Sequence, residues 1–166
     1  MVAGSTDEGA ERHAYAIGRL AAARGWVVLT GGRDHGVMRA AAAGAHDPTL
    51  PVPGLTIGVL PDARAPVAPE IDVAIVTDMQ EGRNNVLVMS GDFVVACGVD
   101  GPGTASEVAL ALRNGKRVAL LEPSPEAVAF FEQVARRSGT QSLLRTFTSP
   151  EEGIAHIERT LAGGTW

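Results

Sequence analysis

The stretch FVVACGVDGPGTASEVALAL, residues 93–112, runs from an unbroken apolar segment through a glycine- and proline-rich turn into residues at helical spacing. The apolar segment 93–96 reads as a strand. A short strand that is apolar on both faces suits a parallel sheet covered on both sides. The turn Gly98-Val99-Asp100-Gly101-Pro102-Gly103-Thr104 has two readings. It is either a sharp strand-to-helix turn or a backbone cradle for an anion.

The same succession recurs in both directions along the chain. Compact, β-branched-rich runs stand at residues 26–30, 55–60, 73–76 and 118–121. Between them lie helical patterns at 8–24, 37–45, 104–114, 125–137 and 150–161, with a further helix running from Asn84 towards Ser90. In the first helix Ala10, Ala14, Ile17 and Ala21 share one face. Helix starts are marked at Ser149-Pro150-Glu151-Glu152 and Ser124-Pro125, where Ser suits the cap and Pro the first helical position. Ser5-Thr6-Asp7-Glu8 and Thr104-Ala105-Ser106-Glu107 both have capping-box spacing. Gly115 and Gly139 read as helix stops. Only Val2-Ala3 remain for a first strand before Gly4, so either that strand is very short or the chain begins part-way through it. Alternation of strands and helices predicts an α/β fold. The expected architecture is a doubly wound, mainly parallel sheet with helices on both faces, in a single domain spanning residues 1–166.

Composition narrows the function classes. At 166 residues, 45% apolar and 20% charged, the chain can bury a sizeable core and is not a disordered tail. Its net charge of −5, without clustered Lys and Arg, argues against nucleic acid as a partner. No segment reaches the roughly 18 apolar residues of a membrane span, and a cytoplasmic location is the default expectation. The single cysteine excludes an intrachain disulfide and a cysteine metal cluster. Cys97, ending an apolar run, is expected to be a buried small hydrophobe. His13, His46 and His156 show no ligand spacing, so no metal site is expected.

In open α/β sheets ligands sit at the carboxyl ends of the strands. Glycine-bearing turns fall there at Gly4-Ser5-Thr6, at Thr30-Gly31-Gly32 and at Gly101-Pro102-Gly103-Thr104. Each leads to a helix start, whose free N–H groups attract anions. Together they point to a phosphorylated ligand. No Gly-Lys-Ser/Thr follows any of these turns, and the first lacks the middle glycine of the dinucleotide fingerprint. Glu107 is either a helix-capping carboxylate or a base beside a bound ribose or phosphate. Arg83, Asn84 and Asn85 could converge on the ligand or be solvated helix-start residues. Asp100 would oppose a phosphate if it pointed inward, so it is expected to point away or to meet a ligand hydroxyl. His35 reads as a surface-loop residue.

The ordered set Thr30-Gly31-Gly32, Gly36-Val37-Met38, Gly58-Val59-Leu60-Pro61, Arg83 and Gly101 to Glu107 resembles the LOG-like family. That family has a Rossmann-type fold and was long mislabelled "lysine decarboxylase". It includes phosphoribohydrolases, which release free base and ribose 5-phosphate from nucleoside 5′-monophosphates, and molybdenum cofactor carrier proteins. The resemblance spans about residues 2–160. By resemblance to the hydrolases, Gly103 and Thr104 would bind phosphate, and Arg83 and Glu107 would be catalytic. Val99-Asp100-Gly101, however, replaces the hydrolase Pro-Gly-Gly, and Asn84 replaces a basic residue. The run Gly101-Pro102-Gly103-Thr104-Ala105-Ser106-Glu107-Val108-Ala109-Leu110-Ala111-Leu112 is more similar to the carrier branch. The resemblance therefore implies a homo-oligomer, dimer or tetramer, that carries a phosphorylated pterin, the molybdenum cofactor. The alternative is a hydrolase acting on a nucleoside monophosphate. Neither reading requires a resident cofactor, and nothing suggests a pyridoxal phosphate site. The ligand-binding set expected is Gly4, Ser5, Thr30, Gly31, Gly32, Arg83, Asn84, Gly101, Pro102, Gly103 and Thr104.

Overall fold

A computed structural model describes residues 1–99 and 101–166. The strands are β1 (Val2–Gly4), β2 (Val28–Thr30), β3 (Thr56–Leu60), β4 (Val73–Val76), β5 (Phe93–Cys97), β6 (Arg117–Leu121) and β7 (Leu144–Phe147). The helices are α1 (Glu8–Ala22), α2 (Gly36–Ala45), α3 (Arg83–Ser90), α4 (Pro102–Arg113), α5 (Pro125–Ser138) and α6 (Pro150–Leu161). All strand pairings between them are parallel. The ladders run β1-β5-β6-β7 and β2-β3-β4. The chain leaves β1, winds outward through β2, β3 and β4, and returns through α3 to β5 beside β1. The winding thus reverses around β1. That reversal brings together the carboxyl ends of β1, β2 and β5, as the doubly wound fold requires.

Side-chain alternation along the strands sorts the core into two layers. Phe93, Val95 and Cys97 of β5, with Ala119 and Leu121 of β6, face α1, α2 and α6 through Ala14, Ile17, Ala41, Ile154 and Ile157. Val94, Ala96, Val118 and Leu120 face α3, α4 and α5 through Val88, Val108, Leu112, Phe131 and Ala135. Burying a side chain such as Leu120 or Phe131 contributes about 1.5–3 kcal/mol. Cys97 is fully buried in this core, and burial pushes its thiol pKa up to about 12.

Several helix ends match the sequence reading. The hydroxyls of Ser124 and Ser149 accept from the amides of Ala127 and Glu152, and Gly139 closes α5 in the left-handed conformation. Other expectations need correction. The cap of α1 is Asp7, which accepts from the Ala10 amide, and not Ser5. Helix α4 begins at Pro102 with Gly101 as its cap and no side-chain cap bond. Thr104 and Glu107 therefore lie inside the helix, and the capping box is not formed. Proline at the first helical position, with its φ already set, lets the helix start earlier. Strand β7, which the sequence reading did not include, adds to the edge beside β6. Strand β4 is apolar yet exposed along its whole length, so the sheet is not covered on both faces at that edge.

Candidate functional site

Where the carboxyl ends of β1, β2 and β5 meet, a pocket of about 360 Å³ opens. Its walls come from Gly4 and Ser5 at the end of β1, Gly31 and Arg33 after β2, Arg83 and Asn84 at the start of α3, and Gly101, Gly103, Thr104 and Glu107 around the start of α4. Val2, Ala3, Thr6, His35, Met38 and Glu81 complete the lining. A larger cavity, about 620 Å³, lies near the amino ends of β1, β2 and β5 and is lined mainly by apolar side chains. Arg33, Glu81, Arg83 and Glu107 line the smaller pocket, against Asp92 in the larger.

Each wall has a local physical cause. At the start of α4 the cap side chain is hydrogen, Pro102 has no amide proton, and the amides of Gly103 and Thr104 belong to the unbonded first turn. A Cβ built on Gly103 meets nothing within 4 Å, so the backbone lies open to the pocket. Gly31 is needed for a different reason. A Cβ there would stand 2.6 Å from Arg83 Nη1 and 2.6 Å from Met38 Sδ. Glycine at 31 makes room for the guanidinium. Gly4 allows β1 to press against the Cys97 carbonyl, which a Cβ would strike.

Arg83 is 4% exposed. Its Nη1 donates to the Val59 carbonyl at 3.2 Å, while its Nε is buried without a partner among the described residues. Asn84, also 4% exposed, donates from Nδ2 to Ser106 Oγ at 3.1 Å, and its Oδ1 is buried without a partner among the described residues. Arg33 Nε is likewise unpaired. Leaving such groups desolvated and unbonded is expensive. Glu107 is 9% exposed, and burial pushes its carboxyl up to about 7. The Arg83 and Arg33 charges pull it back down, while Glu81 pushes it up. Burial lowers the Arg83 pKa in turn, against the pull of Glu107.

The expected residues divide into two groups. Gly4, Ser5, Gly31, Arg83, Asn84, Gly101, Gly103 and Thr104, together with Glu107, come together around the pocket. Thr30, Gly32 and Pro102 do not line it. Thr30 is fully buried, and its hydroxyl accepts from the Gly32 amide at 3.0 Å, which shapes the turn. Gly32, at φ +70°, packs on β3, where a Cβ would stand 2.8 Å from Gly58 Cα. Pro102 serves the helix start. Asn85 is exposed and is not part of the lining, whereas His35 is. Asp100 lies outside the described residues. Sequence reasoning missed Thr6, Arg33, Met38 and Glu81. A basic residue directly after Thr30-Gly31-Gly32 was the available signal for Arg33. Among the described residues no group of His, Cys, Asp and Glu is placed to hold a metal ion. Among the described residues no helix is long and apolar enough to cross a membrane.

The family profile described as SLOG cluster4 matches residues 1–153. An uncharacterised protein of Archaeoglobus fulgidus is 38% identical over 152 residues, covering 92% of this chain and 87% of that one. Among solved structures, the molybdenum cofactor binding protein of the phototrophic bacterium Rippkaea orientalis is similar at TM-score 0.85. It shares 41% identity, with 96% of this chain and 94% of that chain covered. The molybdenum cofactor carrier protein of Chlamydomonas reinhardtii is also similar at TM-score 0.85, with 37% identity over 97% of this chain and 96% of that one.

Proposed function

The chain belongs to the SLOG cluster4 family, and from that premise we propose that its pocket binds the phosphorylated pterin of the molybdenum cofactor as cargo. The protein would then be a cytoplasmic carrier. The observation that carries this reading is the gathering of Arg33, Arg83 and the open first turn of α4 around one pocket. The amides of Gly103 and Thr104 have no helical partner there, and both arginine side chains line the same pocket. A phosphate fits the α4 start and the two guanidinium groups. A heterocycle with both donors and acceptors fits the remainder. The similarity to two molybdenum cofactor proteins supports this cargo over others.

This reading assigns the residue roles. Gly103 and Thr104 offer amides to the phosphate, and Ser5 closes the opposite wall. Arg83 neutralises charge where Gly31 leaves it space, and Glu107 faces the heterocycle end. A carrier needs these groups to hold and shield its cargo, with no bond broken. We also take the protein to be a homo-oligomer. Val73, Ile75 and Val76 of β4 are 44%, 43% and 50% exposed on an open edge strand, a surface that a second copy would cover.

The test compares wild type with Glu107→Gln, both checked for folding, on AMP and other nucleoside monophosphates. Carriage predicts no ribose 5-phosphate release, with phosphorylated ligands still raising the melting temperature. Release that disappears in Glu107→Gln would replace carriage with N-glycosidic hydrolysis. Light scattering after size exclusion reads the oligomer, and a monomer would refute that part.

A further inference from the structure

Two carboxyls line the ligand pocket, and their surroundings differ. Glu81 is exposed just before α3, whereas Glu107, on α4, is 9% exposed. The other charged or titratable residues of the lining, among the described residues, are Arg83 at the start of α3 and Arg33 and His35 in the turn after β2. No ion pair joins Glu107 to either arginine among the described residues. Glu107 thus has neither the water of an exposed carboxylate nor the contact of a paired one, and both lacks favour its neutral form. Burial already pushes this carboxyl up to about 7, with the pull of Arg83 and Arg33 included.

A phosphorylated ligand moves that balance in one direction. Its phosphate takes the start of α4 and the two guanidinium groups. The charges that favour ionised Glu107 are then neutralised by another anion. The phosphate also adds like charge. Held in a pocket of about 360 Å³, it stands within roughly 10 Å of Glu107, where repulsion inside a buried site is poorly screened. A proton on Glu107 relieves both effects.

We propose that Glu107 enters the complex as a neutral acid that donates a hydrogen bond to the phosphorylated ligand, so that binding takes up a proton from solution. The inference rests on the pocket being a phosphorylated-ligand site, and it adds how such a ligand is held and let go. A protonated carboxyl has one O–H to donate, which the ionised group lacks. Below about pH 7 Glu107 is already protonated in the free protein and contributes no uptake. Above it the free protein must gain the proton on binding, so affinity falls as pH rises. A neutral acid also cannot stabilise the cationic sugar of an N-glycosidic transition state, which separates this use of Glu107 from a hydrolytic one.

Calorimetric titration with ribose 5-phosphate at pH 8 tests the coupling. Two non-phosphate buffers of different ionisation enthalpy make the observed heats report the protons exchanged. The ligand's phosphate, with a second pKa of about 6, is already a dianion there and takes up none. Wild type should take up about half a proton or more per ligand, and its affinity should fall about fivefold between pH 7 and pH 8.5. In Glu107→Gln the uptake should drop to near zero, and the affinity should lose that pH dependence. On adding ligand, the infrared difference spectrum of wild type should gain a carboxylic-acid carbonyl band and lose a carboxylate band, a pair absent from the variant. Binding by wild type without proton uptake, or the same uptake in folded Glu107→Gln, overturns the proposal and leaves the site reading standing. Failure of ribose 5-phosphate to bind wild type even at pH 6.5 overturns the site reading, and the proposal with it.

Discussion

Replacing Glu107 by glutamine should stabilise the protein at alkaline pH and leave it unchanged at acid pH. Burial holds the folded-state carboxyl near pH 7 against its ordinary 4.5. The native state therefore binds the proton more tightly than the unfolded chain does. Below about pH 4.5 both states are protonated and the carboxyl costs nothing. Between about 4.5 and 7 the unfolded chain ionises first, and stability falls as pH rises. Above about 7 both are ionised and the full cost remains, about 3 kcal/mol. The attraction of Arg83 is already contained in that balance, so glutamine, the neutral isostere, removes the whole amount. For a chain of this size the difference corresponds to about 6–12 °C in Tm. The assay is thermal unfolding of both proteins from pH 4 to pH 8, read as the difference between them so that other titrating groups cancel. A gap that opens between pH 5 and 7 and reaches several degrees at pH 8 is expected. A gap independent of pH would refute the assignment of Glu107 as a buried, uncompensated carboxylate.

Gly103→Val should lower ribose 5-phosphate affinity more than tenfold, measured by calorimetry, with Tm nearly unchanged, because the added side chain enters open pocket space at a helix position that tolerates it. Unchanged affinity in a folded variant would remove the α4 start from the site. Gly31→Ala should weaken the same ligand about tenfold, since the methyl group would displace the Arg83 guanidinium and Met38; wild-type affinity would show that Arg83 does not reach the ligand. Cys97, with its thiol pKa pushed up to about 12 inside the core, should resist a thiol reagent in the native protein and react on unfolding. Rapid native labelling would contradict its burial.

The fold was legible where local chemistry and apolar pattern agreed. Ser124, Ser149 and Gly139 mark helix ends by hydrogen-bond and backbone requirements that do not depend on tertiary context. Strand β7 was not legible, because Arg145 and Thr146 interrupt its apolar pattern and its place is set by pairing with β6. The exposure of β4 was hidden because an apolar run reads the same at a sheet edge as at its centre. The false capping box at Thr104 arose because its Ser/Thr-x-x-Glu spacing also occurs inside a helix, and Pro102 had already started α4. In the site, the glycine turns and Arg83 stood out by residue type. Arg33 did not, since its backbone is held by a bridge to Val67 from a distant loop. The direction of the Asn84 amide depended on Ser106 in another helix and was visible only in three dimensions.

The most direct test of carriage is an anaerobic titration of the purified protein with molybdenum cofactor, followed by intrinsic or pterin fluorescence, beside Gly103→Val. Saturable binding at one cofactor per chain, lost in the variant, is the expected result. No binding by a folded wild type, or binding that the variant retains in full, would contradict the assignment of this pocket as the cargo site.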